Sequence, residues 1–204
     1  MSQSYIQLNN ISKRYGYNWI FRDVTFQLTS DKIFGISGRN GSGKSTLIKL
    51  LATHITPSSG SLMYHFEGGT VLPKNMYRYL TLSAPYTDII PEFTLKELYQ
   101  FHAIFKPMQV DVSEFLDIIS LKKNDYDKRL SEYSSGMTQR VKLATAILSD
   151  VPLVLLDEPT SFLDASSKKW FVDLLSSYKN NRIIVIASND PFDLELCGEV
   201  YALG

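Results

Sequence analysis

The sequence contains little cysteine and no long apolar run. Its only cysteine, Cys197, cannot form an internal disulfide and fits a reducing compartment. The apolar neighbour Leu196 favours a packed, unreactive thiol. A membrane-spanning helix needs about 20 apolar residues, whereas the strongest apolar runs, 151–156 and 183–187, are far shorter. If the protein serves a membrane, another chain must supply the membrane spans.

The chain carries no net charge, because its 21 acidic residues balance 21 basic ones. A general nucleic-acid-binding protein usually needs a basic surface, so no nucleic acid partner is expected. No group of histidine and cysteine residues suggests a metal site of the kind that these residues form. With 204 residues, 44% of them hydrophobic, the chain can bury a core, and we predict one domain over residues 1–204.

The most informative stretch is the glycine-rich segment 38–46. It has the G-x-x-x-x-G-K-S pattern of a Walker A loop, in which glycines let backbone N–H groups face an anion. In this pattern Lys44 reaches the β- and γ-phosphates of a nucleotide, and the Ser45 hydroxyl binds Mg²⁺. A buried strand is predicted at 32–37 and a helix at 46–52. The candidate phosphate-binding residues are Asn40, Gly41, Ser42, Gly43, Lys44, Ser45 and Thr46.

A pair of carboxylates forms the second candidate element. The apolar segment 151–156 predicts a buried parallel strand, and Asp157 and Glu158 follow it directly. Ligands bind at the carboxyl ends of strands in open α/β sheets, although carboxylates at strand ends often cap the chain and face solvent. In a chain with a phosphate loop, the pair favours Asp157 as a Mg²⁺ ligand and Glu158 as the base for an attacking water.

In the N-terminal region apolar and polar residues alternate, as they do in half-buried strands. Strands are predicted near 5–11 and 24–28, with a loop at 12–16 that contains Tyr15. The Tyr15 ring either stacks on a base or lies on the surface, and periodicity alone favours the surface. Further strands are predicted at 61–66, 79–83 and 182–187.

The region from about 86 to 149 is predicted to be helical. Two capping-box patterns, which begin at Thr94 and Asp111, precede apolar-periodic runs. A polar loop at 131–136 precedes a helix predicted at 137–148. We interpret this region as a helical insert in an α/β core.

These motifs, in this order, resemble those of the nucleotide-binding domain of ABC (ATP-binding cassette) proteins over nearly the whole chain. Tyr15 matches the aromatic residue that stacks on adenine, residues 134–140 resemble the family signature, and 161–164 match the D-loop. Asp157 and Glu158 match the Walker B pair. The resemblance implies an α/β P-loop NTPase core with a mostly parallel sheet, an N-terminal antiparallel β subdomain and a helical subdomain.

The resemblance also implies how such a chain works. In the family, the signature serine and glycine, here Ser134 and Gly136, bind the γ-phosphate held by a second subunit. Two subunits close head-to-tail on two molecules of ATP with Mg²⁺ and open after hydrolysis. The second subunit is either identical to this chain or different.

Three positions depart from the family pattern. The signature has Ser135 in place of its first glycine and Met137 in place of its glutamine, and the Q-loop glutamine expected near 83–85 is missing. Asn189 occupies the place of the switch histidine. Asparagine can donate a hydrogen bond to a phosphate oxygen, but it cannot carry a positive charge or shuttle a proton. Losing one transition-state hydrogen bond costs about 10²–10³-fold in turnover, so we predict ATP binding with slow hydrolysis.

The leading hypothesis is an ATPase subunit of an ABC transporter, peripheral at the cytoplasmic face of the membrane, that drives a permease on a separate chain. The sequence most resembles those of small bacterial ATP-binding subunits, including those that resemble heme-exporter ATPases. Residues 201–204 directly follow the last expected strand. The alternative is an ATP-dependent switch protein with weak hydrolysis, motivated by the missing glutamine and Asn189.

In the transporter hypothesis, an aromatic groove around 84–100 receives a permease helix; otherwise these aromatic residues form the core of the insert. The residues concerned are Tyr86, Phe93, Tyr99 and Phe101.

Overall fold

The computed structural model describes residues 4–30, 32–122 and 125–204. Within these ranges the strands are β1 (Tyr5–Tyr15), β2 (Asn18–Thr29), β3 (Ile33–Ser37), β4 (Ser59–Phe66), β5 (Gly69–Val71), β6 (Leu80–Ser83), β7 (Leu153–Asp157), β8 (Ile183–Ala187) and β9 (Glu199–Ala202). The α-helices are α1 (Lys44–Leu51), α2 (Leu95–Phe105), α3 (Val112–Ile119), α4 (Ser135–Leu148), α5 (Ala165–Tyr178) and α6 (Pro191–Glu195). Short 3₁₀ helices span Pro73–Arg78 and Leu130–Glu132.

The strands of the described residues form two sheets, one antiparallel with the order β2-β1-β4-β5 and one parallel with the order β6-β7-β8-β3-β9. Alternate residues of β7 face opposite cores. Leu153 and Leu155 pack with α1 and the antiparallel sheet, whereas Val154 and Leu156 pack with helices α2 to α5. Because both faces are covered, every residue of β7 is buried. The predicted α/β fold with parallel and antiparallel sheets is confirmed.

The hairpin of β1 and β2 differs from the prediction. The loop predicted at 12–16 is wrong, because β1 continues to Tyr15 and pairs Tyr15 with Asn18. Register shifts between Leu8 and Ile11, next to the positive φ of 48° at Asn10, break the alternation of apolar residues in the sequence. The turn itself is only Gly16 and Tyr17, and Gly16 adopts a φ of +57°.

The helices begin at well-defined caps. Thr94 and Glu97 form the predicted capping box at the start of α2, and the Asp111 side chain accepts the Glu114 N–H at the start of α3. Helix α4 begins earlier than predicted, at Ser135, because the Ser134 hydroxyl accepts the Met137 N–H and so acts as its N-cap. Among the described residues, no helix has the length and apolar character needed to cross a membrane.

The register of the parallel sheet brings three loops to one edge. Ala187, at the end of β8, lies opposite both Ile36 of β3 and Asp157 of β7. The segments that follow these strands therefore leave the sheet side by side. They are the glycine-rich loop, the Asp157–Glu158 pair and Ser188–Asn189.

Candidate nucleotide-binding site

The glycine-rich loop joins β3 to the N-terminus of α1. Gly38, Gly41 and Gly43 have φ values of +150°, +84° and +101°, a region that residues with a side chain rarely adopt. The loop ends at a helix N-terminus, where backbone N–H groups and the helix dipole favour an anion. A cleft of about 260 Å³ opens at this point. Its lining residues are Ile20, Asn40, Gly41, Gly43, Lys44, Ser45, Thr46 and Glu158.

Two charged side chains meet in the cleft. The Lys44 ammonium donates to the carbonyl oxygen of Gly38 at 2.9 Å and lies 3.8 Å from Glu158 Oε1. The Ser188 hydroxyl donates to Glu158 Oε2 at 3.1 Å. The backbone of Glu158 has a positive φ of 49°, and its N–H donates to the Ala187 carbonyl at 2.8 Å. This strained backbone, tied to β8, aims the Glu158 side chain into the cleft.

Asp157 lies beneath the cleft and is only 1% exposed. Burial raises the pKa of its carboxyl, while the Ser45 and Tyr86 hydroxyls and the Lys44 ammonium act in the opposite direction. Both hydroxyls face the carboxylate, yet neither completes a hydrogen bond, so both carboxylate oxygens are buried without a partner. A buried carboxylate without a hydrogen bond is costly. Its surroundings therefore fit a cation held between Asp157 and Ser45.

The segment after β8 also reaches the phosphate loop. Asn189 Nδ2 donates to Asn40 Oδ1 at 3.3 Å, so Asn189 lies at the mouth of the cleft. Asn189 is exposed, as Asn40 is. An exposed amide at this point can donate a hydrogen bond to a ligand in the cleft.

Besides Asp157 and Asn189, which lie next to the cleft, four of the predicted site residues do not line it. Ser42 folds inward, and its hydroxyl is buried without a partner. The Tyr15 ring is 52% exposed, with the Lys13 ammonium 5.0 Å from its centroid. Ser134 and Gly136 lie at the N-terminus of α4, where a Cβ on Gly136 would be 3.3 Å from the Phe162 carbonyl.

Sequence reasoning missed Ile20, Ser188 and Tyr86. Ile20 and Ser188 reach the site only through the packing of β2 and β8 around the loop, and no motif identifies them. Tyr86 follows β6, the parallel neighbour of β7. The rule that ligands gather at the carboxyl ends of neighbouring strands could have identified Tyr86.

A groove of about 660 Å³ lies between the end of α1, strand β6 and helices α2 and α4. Phe101 lines it, as do His54, His102 and residues 87–90. The four aromatic residues predicted here are divided between the surface and the edge of the core. Tyr86 and Phe101 are each 40% exposed, whereas Phe93 and Tyr99 are partly buried against the core, with the Tyr99 ring 5.1 Å from that of Phe115 between centroids.

Comparison with known proteins identifies the family. The model of the ABC transporter family matches residues 21–161, and the chain belongs to that family. The ABC transporter A family member 1 of Dictyostelium discoideum is 32% identical over 183 residues, which cover 86% of this chain and 20% of that protein. A probable ABC transporter ATP-binding/permease protein of Haemophilus influenzae is 30% identical over 217 residues, which cover 98% of this chain and 38% of that protein.

The fold has close counterparts among solved structures. A dimeric bacterial ABC transporter cassette matches 97% of this chain and 94% of its own length, with a TM-score of 0.82 and 20% sequence identity. At that identity the likeness concerns the fold. The chain spans well under half of the length of the two relatives above. Neither is named as a heme exporter, so the predicted likeness to heme-exporter ATPases is not confirmed, whereas the predicted family is.

Proposed function

We propose that this chain binds Mg²⁺-ATP in the cleft and hydrolyses it slowly, as the ATP-binding subunit of an ABC transporter. The observation that carries the proposal is the meeting of Lys44 and Glu158 in one cleft above the buried Asp157, with Asn189 hydrogen-bonded to the lining residue Asn40. This arrangement provides a cation for phosphate, a carboxylate for water and an amide donor at a single point.

Lys44 and the loop hold the phosphates. The Lys44 ammonium lies between the Gly38 carbonyl and the Glu158 carboxylate. A bound β,γ-phosphate attracts this ammonium more strongly than Glu158 does, because it carries more negative charge. Lys44 then leaves Glu158 free to accept a proton from water.

Ser45 and Asp157 would hold the Mg²⁺ ion, since the two oxygens of Asp157 lack partners and the Ser45 hydroxyl faces them. When bound there, such an ion would supply positive charge against the charge that develops on the phosphate oxygens. The Ser188 hydroxyl keeps the Glu158 carboxylate oriented through its hydrogen bond to Oε2. Asn189 donates to the transferred phosphate but supplies no charge, which makes hydrolysis slow.

A second subunit completes the site. Ser134 and Gly136 lie away from the cleft of their own chain, at a helix N-terminus able to face a phosphate held by another copy. The Tyr15 ring, with Lys13 over one face, stacks on adenine with the other face. ATP therefore sits between two chains arranged head-to-tail.

The groove along α1, β6, α2 and α4 receives a helix of a permease carried by another chain. Its exposed Phe101 and the apolar residues of the 87–90 segment suit the apolar side of such a helix. This places the chain at the cytoplasmic face of a membrane. The switch alternative depends only on the missing glutamine and Asn189, whereas the names of the relatives describe transporters.

The size of the protein in solution tests the proposal. Glu158→Gln removes the base while preserving the shape of the side chain, so the variant should form a dimer on addition of ATP, measured by sedimentation velocity. The double variant Lys44→Ala with Glu158→Gln should stay monomeric, because the phosphates lose their cation. A Glu158→Gln protein that neither binds ATP nor changes its sedimentation would contradict the proposal.

A further inference from the structure

A buried hydrogen bond joins helix α4 to the segment 158–162, which begins with Glu158. The Gln139 side chain is 6% exposed, and its Nε2 donates to the Pro159 carbonyl at 2.7 Å. Pro159 directly follows Glu158 and is itself buried. Because α4 belongs to the helical region and Glu158 follows strand β7 of the parallel sheet, the bond connects two parts of the molecule next to the predicted base.

The backbone at Glu158 requires such anchors. Its φ of 49° is costly for a residue with a side chain, and such a conformation persists only when surrounding contacts hold it. On the sheet side, the Glu158 N–H donates to the Ala187 carbonyl at 2.8 Å. On the other side, the Ser161 hydroxyl donates to the Glu158 carbonyl at 3.0 Å. Pro159 has no N–H, so a hydrogen bond can fix its backbone only through the carbonyl that Gln139 binds.

Helix α4 is packed closely against the same segment. A Cβ on Gly136 would lie 3.3 Å from the Phe162 carbonyl, so α4 approaches the segment more closely than a residue with a side chain readily allows. One turn further along α4, the Arg140 guanidinium lies over the Trp170 ring of α5, 4.6 Å from its centroid. Gln139 lies between these two contacts in sequence, and its amide therefore donates from a fixed position.

We propose that Gln139 is a positioning residue for hydrolysis, which anchors the Pro159 carbonyl and so holds the Glu158 carboxylate in the orientation that activates water. A general base must lie within hydrogen-bond reach of the water, and a small displacement of it lowers the rate. Gln139 does not line the cleft, so its loss should affect the rate and leave ATP binding intact. The inference rests on the proposed function, because it requires that Glu158 be the base.

The test compares ATP turnover and nucleotide binding in Gln139→Met, Gln7→Met and wild type. Methionine is unbranched like glutamine but cannot donate a hydrogen bond. Gln7 provides the matched control in the antiparallel sheet, because its Nε2 also donates to main-chain carbonyls, that of Leu8 at 3.0 Å and that of Phe26 at 3.3 Å. Thermal unfolding of each variant sets the temperature of the assays below the transition.

The expected effect is a split between kcat and KM. In Gln139→Met we expect kcat to fall by about 10- to 100-fold, because the base is displaced. The KM for ATP and the affinity for a fluorescent ATP analogue should stay within about twofold of wild type. Gln7→Met should lose stability as well but keep the wild-type kcat. Loss of a hydrogen bond that is merely structural would lower stability in both variants without this split.

A second comparison uses the Glu158→Gln background. There, adding Gln139→Met should lower the residual single-turnover rate by less than about twofold, because the base through which Gln139 acts is already absent. An unchanged kcat in Gln139→Met, an equal fall of kcat in Gln7→Met, or the full additional loss in the Glu158→Gln background would overturn the inference while the proposed function stands. If wild type does not hydrolyse ATP, the proposed function fails and the inference with it.

Discussion

Replacing Gly38 by alanine should destabilise the protein far more than the same change at Gly41, although both glycines belong to the phosphate loop. Both have positive φ, +150° at Gly38 and +84° at Gly41. A Cβ on Gly38 would collide with the carbonyl oxygen of Leu203 and the hydroxyl of Ser42, whereas a Cβ on Gly41 meets nothing within 4 Å. The pair separates backbone strain from steric collision.

The expected losses of stability follow from the costs of backbone strain and of steric collision. Strain at a positive φ costs about 1–2 kcal/mol in a residue with a side chain. Forced overpacking adds about 1–3 kcal/mol, and the Leu203 carbonyl cannot retreat easily because the Leu203 N–H donates to Ser37 at 2.8 Å. We expect Gly41→Ala to lower the free energy of unfolding by about 1–2 kcal/mol and Gly38→Ala by about 2–5 kcal/mol.

Equilibrium unfolding in urea, followed by circular dichroism, measures both variants. The transition midpoint should fall in both and the m-value should stay constant, since the area exposed on unfolding is unchanged. Equal losses of stability in the two variants would refute the reasoning, because the collision at Gly38 would then have no cost.

Three further predictions concern groups outside the cleft. Arg182, 6% exposed, donates to carbonyl oxygens near the ends of α4 and α5. Arg182→Met should lower the free energy of unfolding in urea by about 2–4 kcal/mol by removing these charge-assisted hydrogen bonds, while the exposed control Arg78→Met changes it by less than about 0.5 kcal/mol. Burial and the nearby Lys106 lower the pKa of His102 from 6.5 to about 4. Between these two pH values the unfolded chain binds a proton at His102 that the folded chain does not, so the free energy of unfolding should decrease as the pH falls through this window. In thermal melts at several pH values, His102→Gln should reduce this dependence on pH. Burial raises the pKa of the Cys197 thiol to about 12; Ellman's reagent should therefore react with it at pH 8 only after unfolding, and rapid reaction of the folded chain would contradict this.

The elements that sequence patterns predict well are those with a local cause. The capping box at Thr94 depends on residues three apart, and the phosphate loop depends on glycines inside one segment, so both could be located without the fold. The buried strand at 151–156 was predicted from its apolar run, because a strand buried on both faces lacks alternation. The arrangement of the parallel and antiparallel sheets was what the family resemblance implied.

The parts that could not be predicted depend on distant partners. Strand β1 continues to Tyr15 because it pairs with β2. A register shift near Asn10 interrupts the alternation of apolar residues, so the sequence pattern does not show this continuation. The hydrogen bond between Ser188 and Glu158 joins residues far apart in sequence, which the strand order brings together. The roles of Tyr15, Ser134 and Gly136 stay predictions.

The most direct test of the central claim is the turnover of Mg²⁺-ATP by the purified chain across a range of protein concentrations, beside Glu158→Gln. A dimeric ATPase predicts that turnover per chain rises with protein concentration, and that the variant loses at least about 10²-fold in rate because the water loses its base. Turnover by Glu158→Gln equal to that of wild type, or a rate per chain independent of concentration, would contradict the claim that Glu158 activates water in a site shared by two chains.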